Sequence, residues 1–570
     1  MTKVESIKLF LTILLFSLEY PCMAQIPNDS IVADFRHFIE YLEETHPDPY
    51  TNYGGKALFH RSVLSTSQTL KEKNTTTAEE LCWQIRSFLA PLQDGHTYIN
   101  YPTQQTTSHI LAPIAFRTIS GGLIVRKLPV KHESLLGSRL ICIEGIPVDT
   151  LYEEISKLYP TENETGKILN LCWYAHSHTV LSKLIPTLKN DSITYQLNTP
   201  DNHNIRIKLP FMPEEEWKEW SNTQKDKSRS KIPTTNLSFS FIGKGKETMY
   251  FRSTSIMARD NIEISKEWGM DYYTDLKFTY EKTFHRPMPS DTLQAISELP
   301  SFSGEFDKML QQMKKHHSTN LIIDLRGNGG GWTPIIRPTL YQLWGDEYLK
   351  KNMGDKLYRI ISPLYIKKNG TTLSEYNVQN KTNYSFGDYV FSESKDKPQH
   401  ITESHRNKFI KNSISCIKDK LTEQKGEPIY TPKHIYVVTD ANTFSAAFHY
   451  AFYLWKMGAT IVGTSSSQAP NTYMETTPFV LPNTKLNGSI SNSLQLYLPI
   501  DDPRAKQLRP DWELTYDDYK RYGFDEQAEV LYLLEKIEKQ QQISIKTNKT
   551  INLFIKQNHM NLKSYYQRRG

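Results

Sequence analysis

Apolar residues recur at three- and four-residue intervals between about Ser30 and Leu92. Val32, Phe35, Phe38, Ile39 and Leu42 form one series; Leu81, Ile85 and Leu89 form another. That spacing lets a helix bury a single stripe. Thr77 precedes the second series, with Glu80 three residues on, as in a capping box. Residues 25–104 are therefore expected to form a helical N-terminal domain that ends in the loop Gln93-Asp94-Gly95-His96-Thr97.

The pattern then shortens. Phe116–Ile119 and Gly122–Val125 flank Ser120-Gly121, which predicts a hairpin. In Gly137–Ile155 a strand, a turn at Glu144-Gly145 and a helix capped by Asp149 follow one another. Residues 105–213 resemble a PDZ-like module, a fold that takes peptide ends at a sheet edge; a generic strand-turn-helix unit fits the same residues. Residues 214–236 are polar and read as a linker. From 237 to 538 strands and helices alternate: Glu305–Met313 helical, Leu321–Leu325 extended, Thr333–Leu343 helical, Ile435–Thr439 extended, Ser445–Trp455 helical, Thr460–Gly463 extended. Such alternation implies stacked βα units. The overall expectation is an α/β multidomain chain with a helical N-terminal cap, a PDZ-like β-rich module and an α/β core. Residues 346–431 read as a polar insertion in that core, and 539–570 as a polar, basic tail.

Three segments carry candidate chemistry. In Asn320–Trp332 a buried strand stops in a turn holding Gly327, Gly329, Gly330 and Gly331. Without Cβ atoms, backbone N–H groups can converge on a developing negative charge, as an oxyanion hole requires. In His434–Phe452 a β-rich run breaks at Asp440-Ala441-Asn442, and an apolar helix starts near Ser445. A serine there meets free N–H groups and the positive end of the helix dipole, although Thr443 or Ser445 could merely cap the helix. The third segment, Leu92–Ile99, holds His96 in a tight Asp-Gly turn.

Together these segments resemble the serine peptidases of the tail-specific (C-terminal processing) and tricorn-core group. The likeness extends to Thr460–Asn471, Phe479–Asn483 and Leu508–Leu514, in the family's order. It implies an α/β peptidase core, Ser445 as nucleophile and His96 as general base. It further implies that Ala446 with Gly329 or Gly330 forms the oxyanion hole, with neither metal nor organic cofactor. The C-terminal processing branch uses a lysine base, but Gly463–Asn471 has none and carries Gln468 near that place. Lys456 lies at the far end of the nucleophile helix. The histidine of the DGHT loop matches the tricorn-like branch. That branch adds a serine before the histidine and a late orienting glutamate. Here Gly95 precedes His96, and the late acids are Asp501 and Asp502, with Glu475 earlier; Asp502 is the choice from sequence. The implied substrate is an extended polypeptide. A non-catalytic ligand- or peptide-binding protein on the same fold is the alternative.

Charge and composition narrow the setting. A net charge of +6 over 570 residues, with basic residues spread out, argues against nucleic-acid binding. Lys3 and Lys8, the apolar run Leu9–Leu18 and Ala24 read as a signal peptide over 1–24. Export to the periplasm or beyond is expected, with lipid attachment at Cys22 ranked second. No later run is long enough to cross a membrane. Cys82, Cys142, Cys172 and Cys416 form no metal-binding spacing; one or two disulfides or buried thiols both fit. Oligomeric state is not readable.

Overall fold

The computed structural model describes residues 26–102, 109–224, 232–354, 356–393 and 397–542. The expected signal peptide, Cys22 and nearly all of the basic tail lie outside them.

The N-terminal helices are α1 (Asn28–Thr45), α2 (Lys56–Glu72) and α3 (Ala78–Leu89). Thr77 caps α3 by accepting the Glu80 N–H, and Glu80 reaches back to the Thr77 hydroxyl. Their apolar stripes form one core around Phe35, Phe38, Phe59, Ile85 and Phe88. Short strand β1 (Tyr98–Ile99) leaves this domain.

The next region folds into an antiparallel sheet, β2 (Ala115–Ile119), β3 (Gly122–Lys127), β4 (Arg139–Ile143), β5 (Ser192–Asn198) and β6 (Asn204–Pro210), adjacent in that order. The predicted hairpin at Ser120-Gly121 is present, with Ile119 paired to Gly122. Helices α4 (Val148–Ile155) and α5 (Glu164–Tyr174) pack on this sheet. Asp149 sits in the first turn of α4 instead of capping it, because Pro147 takes the cap position and the helix begins at Val148. Within 214–236, residues Glu214–Thr223 form a helix whose Trp217 stacks on His176 and donates to the Ala112 carbonyl.

The core sheet runs β7 (Ser238–Phe241), β8 (Thr248–Arg252), β9 (Asn320–Asp324), then β12 (His434–Thr439), β13 (Thr460–Gly463) and β16 (Trp512–Glu513). Every pair but β7–β8 is parallel. All five residues of β9 are buried, as expected for a central parallel strand covered on both faces. Helices α6 (Phe302–His316), α7 (Arg337–Trp344) and α8 (Ala446–Lys456) cover one face. The C-terminal segment, with Tyr519, Val530 and Leu533, covers the other.

The 346–431 stretch is more structured than a polar insertion suggests. It contributes β10 (Lys356–Ile360) and β11 (Tyr389–Glu393), which join β15 (Asn487–Leu496) in a second antiparallel sheet. β14 (Thr472–Val480) and β1 also pair with β15. The sequence signal there is weak: in β10 only Ile360 is buried, and Leu357–Arg359 are all half-buried, so no clear alternation marks the strand.

This second sheet fixes the histidine loop. Buried Asp34 of α1 accepts the backbone N–H groups of Asn483 and Thr484 in the β14–β15 turn. Thr97 accepts the Ser491 N–H at 2.9 Å. The four described cysteines are free thiols. Among the described residues no helix is long and apolar enough to cross a membrane.

Candidate active site

The site lies beyond the carboxyl ends of β9 and β12, where open α/β sheets bind ligands. Ser445 precedes the first turn of α8 with φ 52° and ψ −126°. A non-glycine residue in that region costs about 1–3 kcal/mol and persists where surrounding structure enforces it. Ser445 makes no side-chain capping bond. Thr443 does not cap α8 either: its hydroxyl donates to the Leu325 carbonyl and accepts the Asp440 N–H. The capping explanation of Ser445 therefore fails on geometry. The Gln468 side-chain oxygen accepts the Ser445 N–H, which places this residue against the nucleophile's backbone, not its hydroxyl. Lys456 ends the 11-residue helix, about 16 Å along its axis.

The glycine turn presses on Ser445. A Cβ on Gly330 (φ +106°) would lie 2.6 Å from the Ser445 Cβ and 2.9 Å from the Ala446 N. Only glycine fits there. The two glycines nevertheless differ. The Gly330 N–H is committed to Asn328 Oδ1 at 3.0 Å, whereas Gly329 faces open space. Of the two oxyanion residues expected from sequence, Gly330 is the one whose N–H is already taken. Ala446 is in the first helical turn, where N–H groups lack an intrahelical acceptor.

A buried charge network anchors the turn. Arg326, just before Gly327, bonds Asp324 Oδ2 at 2.6 Å and Glu529 Oε2 at 2.6 Å. Arg117 of β2 binds Glu529 Oε1 at 2.5 Å, and Arg252 lies 2.7 Å from Asp324. The flanking guanidiniums hold the Asp324 and Glu529 carboxyls below their ordinary values despite burial. Gly327 N–H donates to Asp440 at 2.9 Å, tying the turn to the nucleophile loop.

His96 is buried, its ring stacked on Phe444 with centroids 4.7 Å apart. Phe444 is the residue before Ser445, so the stack brings the two loops together. Asp94 accepts the His96 backbone N–H at 2.8 Å and also binds the Thr97 hydroxyl, which shapes the turn. His46 Nε2 stands 3.4 Å from the second Asp94 oxygen. Burial pushes the His96 imidazole below its ordinary value, against the opposing pull of Asp94 and the Tyr473 carbonyl.

The acid beside this imidazole is one the sequence did not reveal. Glu162, between α4 and α5, puts Oε1 3.8 Å from His96 Nδ1. Its oxygens accept the Gly95 N–H at 3.3 Å and the Ala469 N–H at 2.8 Å. Burial pushes its carboxyl up to about 8; those N–H groups oppose the rise and Asp94 adds to it. Asp502, the acid chosen from sequence, is instead held by Arg504 through the backbone N–H at 2.9 Å and the guanidinium at 2.6 Å. It caps a short helical turn. Glu475 is similarly paired with Arg359. No spacing rule links a glutamate in one domain to a histidine in another, so no sequence signal pointed to Glu162.

Asp94, His96 and Glu162 each present one atom within 4.8 Å of the others, a spacing that could hold a metal. Both carboxylates are already engaged by N–H and hydroxyl donors, which equally describes an acid–base cluster.

Residues 294–511 match the model of Peptidase family S41. The match includes the glycine turn, Ser445 and Gln468; His96 and Glu162 come from outside it. The fold is that of mature CPAF complexed with lactacystin, at TM-score 0.55 and 14% identity, covering 90% of this chain and 98% of that one. Mature CPAF gives TM-score 0.53 at 14% identity, covering 89% and 98%. No curated protein sequence matches the chain. The likeness to Peptidase family S41 is thus carried by residues 294–511, and the chain has an α/β multidomain fold, as the strand–helix alternation implies.

Proposed function

We propose that this is an exported peptidase that cuts extended polypeptides through an acyl-enzyme on Ser445. His96 takes the serine proton as the hydroxyl attacks the scissile carbonyl, then delivers it to the leaving amine. The N–H groups of Gly329 and Ala446 stabilise the oxyanion. Glu162 orients His96 and balances its charge when the imidazole is protonated. The reading rests chiefly on Ser445: a strained, non-capping serine at a helix start, with a glycine turn against its Cβ and a histidine stacked on its neighbour.

Export is supported by the basic start, apolar run and small residue at 1–24. The antiparallel module, PDZ-like in this reading, offers β2 and β6 as edges for a substrate terminus.

Proteolysis of unfolded casein by the mature wild-type chain and by Ser445→Ala tests the assignment. Activity confined to the wild type supports it; equal activity in both removes Ser445 from the mechanism. Labelling by a serine-reactive fluorophosphonate, lost in His96→Ala, is the expected companion result.

A further inference from the structure

A cavity of about 330 Å³ opens beside the proposed catalytic residues. Every segment of the site contributes to its wall: Gly95 from the histidine loop, Gly327 and Gly329 from the glycine turn, and Asn442 and Phe444 from the nucleophile loop. Apart from Ser467, the remaining walls come from the antiparallel module, chiefly Pro160, Leu169 and Trp173. Leu169 is buried, whereas Trp173 is half exposed at the rim, its indole N–H donating to Asn442 Oδ1 at 3.3 Å. A large aromatic exposed at a cavity mouth, fixed by a hydrogen bond to the nucleophile loop, is placed to cover an incoming apolar group.

We propose that this cavity is the subsite for the substrate side chain next to the scissile bond, and that it selects a large apolar side chain of the leucine or phenylalanine class. The inference rests on the peptidase reading and adds its specificity. The volume, at the lower end of ligand sites, suits one side chain and its backbone. Among the described residues no lysine or arginine lines it to balance a substrate carboxylate. The acid in its lining, Glu162, already accepts two backbone N–H groups and lies against His96, which leaves it poorly placed to receive a substrate cation. Burial also favours its neutral form below about pH 8. The module therefore shapes specificity at the bond itself, in addition to any role in holding a chain end.

The test uses internally quenched peptides of one sequence, varied to Leu, Phe, Ala, Lys or Asp on either side of the cleaved bond. The mature wild type, Trp173→Ala and Trp173→Phe are compared by kcat/KM. On one side of the bond, Leu and Phe should exceed Ala, Lys and Asp by about tenfold or more, the scale of apolar pocket selection. Trp173→Ala should reduce that preference to about threefold or less, and Trp173→Phe should largely restore it. A flat profile, a preference for Lys or Asp, or unchanged selectivity in Trp173→Ala overturns the proposal. Fluorophosphonate labelling of Ser445 in the wild type separates the two levels of failure. A labelled enzyme that cuts neither the Leu nor the Phe peptide refutes the subsite alone. An unlabelled enzyme refutes the peptidase reading and the subsite with it.

Discussion

Replacing Glu162 with Gln tests the least expected member of the site by two opposite pH effects. The wild-type carboxyl is shifted from 4.5 to about 8 by burial, equivalent to roughly 5 kcal/mol of preference for its neutral form. In the unfolded chain it ionises near 4.5; in the folded chain it keeps its proton until about 8. Between those values the folded state binds more protons, so stability falls as pH rises, and the loss is complete above about 8. Gln imitates the neutral acid and cannot ionise. The stability of Glu162→Gln minus that of wild type should therefore grow from pH 4.5 to pH 8, by up to about 5 kcal/mol. Activity should move the other way. Only the ionised carboxylate can hold a proton on Nδ1 and leave Nε2 free as a base. Its ionised fraction rises from about 1% at pH 6 to about half at pH 8, so wild-type kcat/KM should climb about 50-fold over that range. In Glu162→Gln that limb should flatten, with kcat at pH 8 down by about 10²–10⁴-fold. Urea denaturation across pH 4.5–9 and pH–rate profiles with one cleavable peptide supply both readouts. A variant within threefold of wild-type kcat, or a wild-type profile level from pH 6 to 8, refutes the role given to Glu162.

Ser445→Ala should abolish hydrolysis while changing thermal stability little, and Ser445→Gly should be equally inactive but more stable by about 1 kcal/mol, because φ 52° suits glycine; a calorimetric scan of both variants checks this. Gly330→Ala should fold yet lose most fluorophosphonate labelling, since the added Cβ meets Ser445 Cβ at 2.6 Å. Glu529→Ala should cost about 3–5 kcal/mol in chemical denaturation, because it leaves Arg117 and Arg326 buried without their shared carboxylate. Asp502→Asn should leave kcat/KM within about twofold, since that carboxylate is bound to Arg504; a loss of 100-fold or more would restore Asp502 as the orienting acid.

The features readable from sequence are local. The buried β9 strand, the glycine turn, the helix after Ser445, the Thr77 capping box and the hairpin at Ser120-Gly121 each arise from side-chain period or turn chemistry within a few residues. Ser445, Gly329 and His96 stand at breaks in such patterns, so they were readable as candidates before the fold. Tertiary structure decided what depends on distant segments meeting. It brought His96 to the nucleophile loop through the Phe444 stack and set Gly330 hard against Ser445. It also folded part of 346–431 into the sheet that holds the histidine loop. The clearest case is the acid. Asp502 lay where order along the chain suggested, but a neighbouring Arg504 neutralises it locally, while Glu162 reaches His96 from another domain. Periodicity and turn propensity act over a few residues, whereas a carboxyl's partner and ionisation follow from burial and from which charges the fold packs around it.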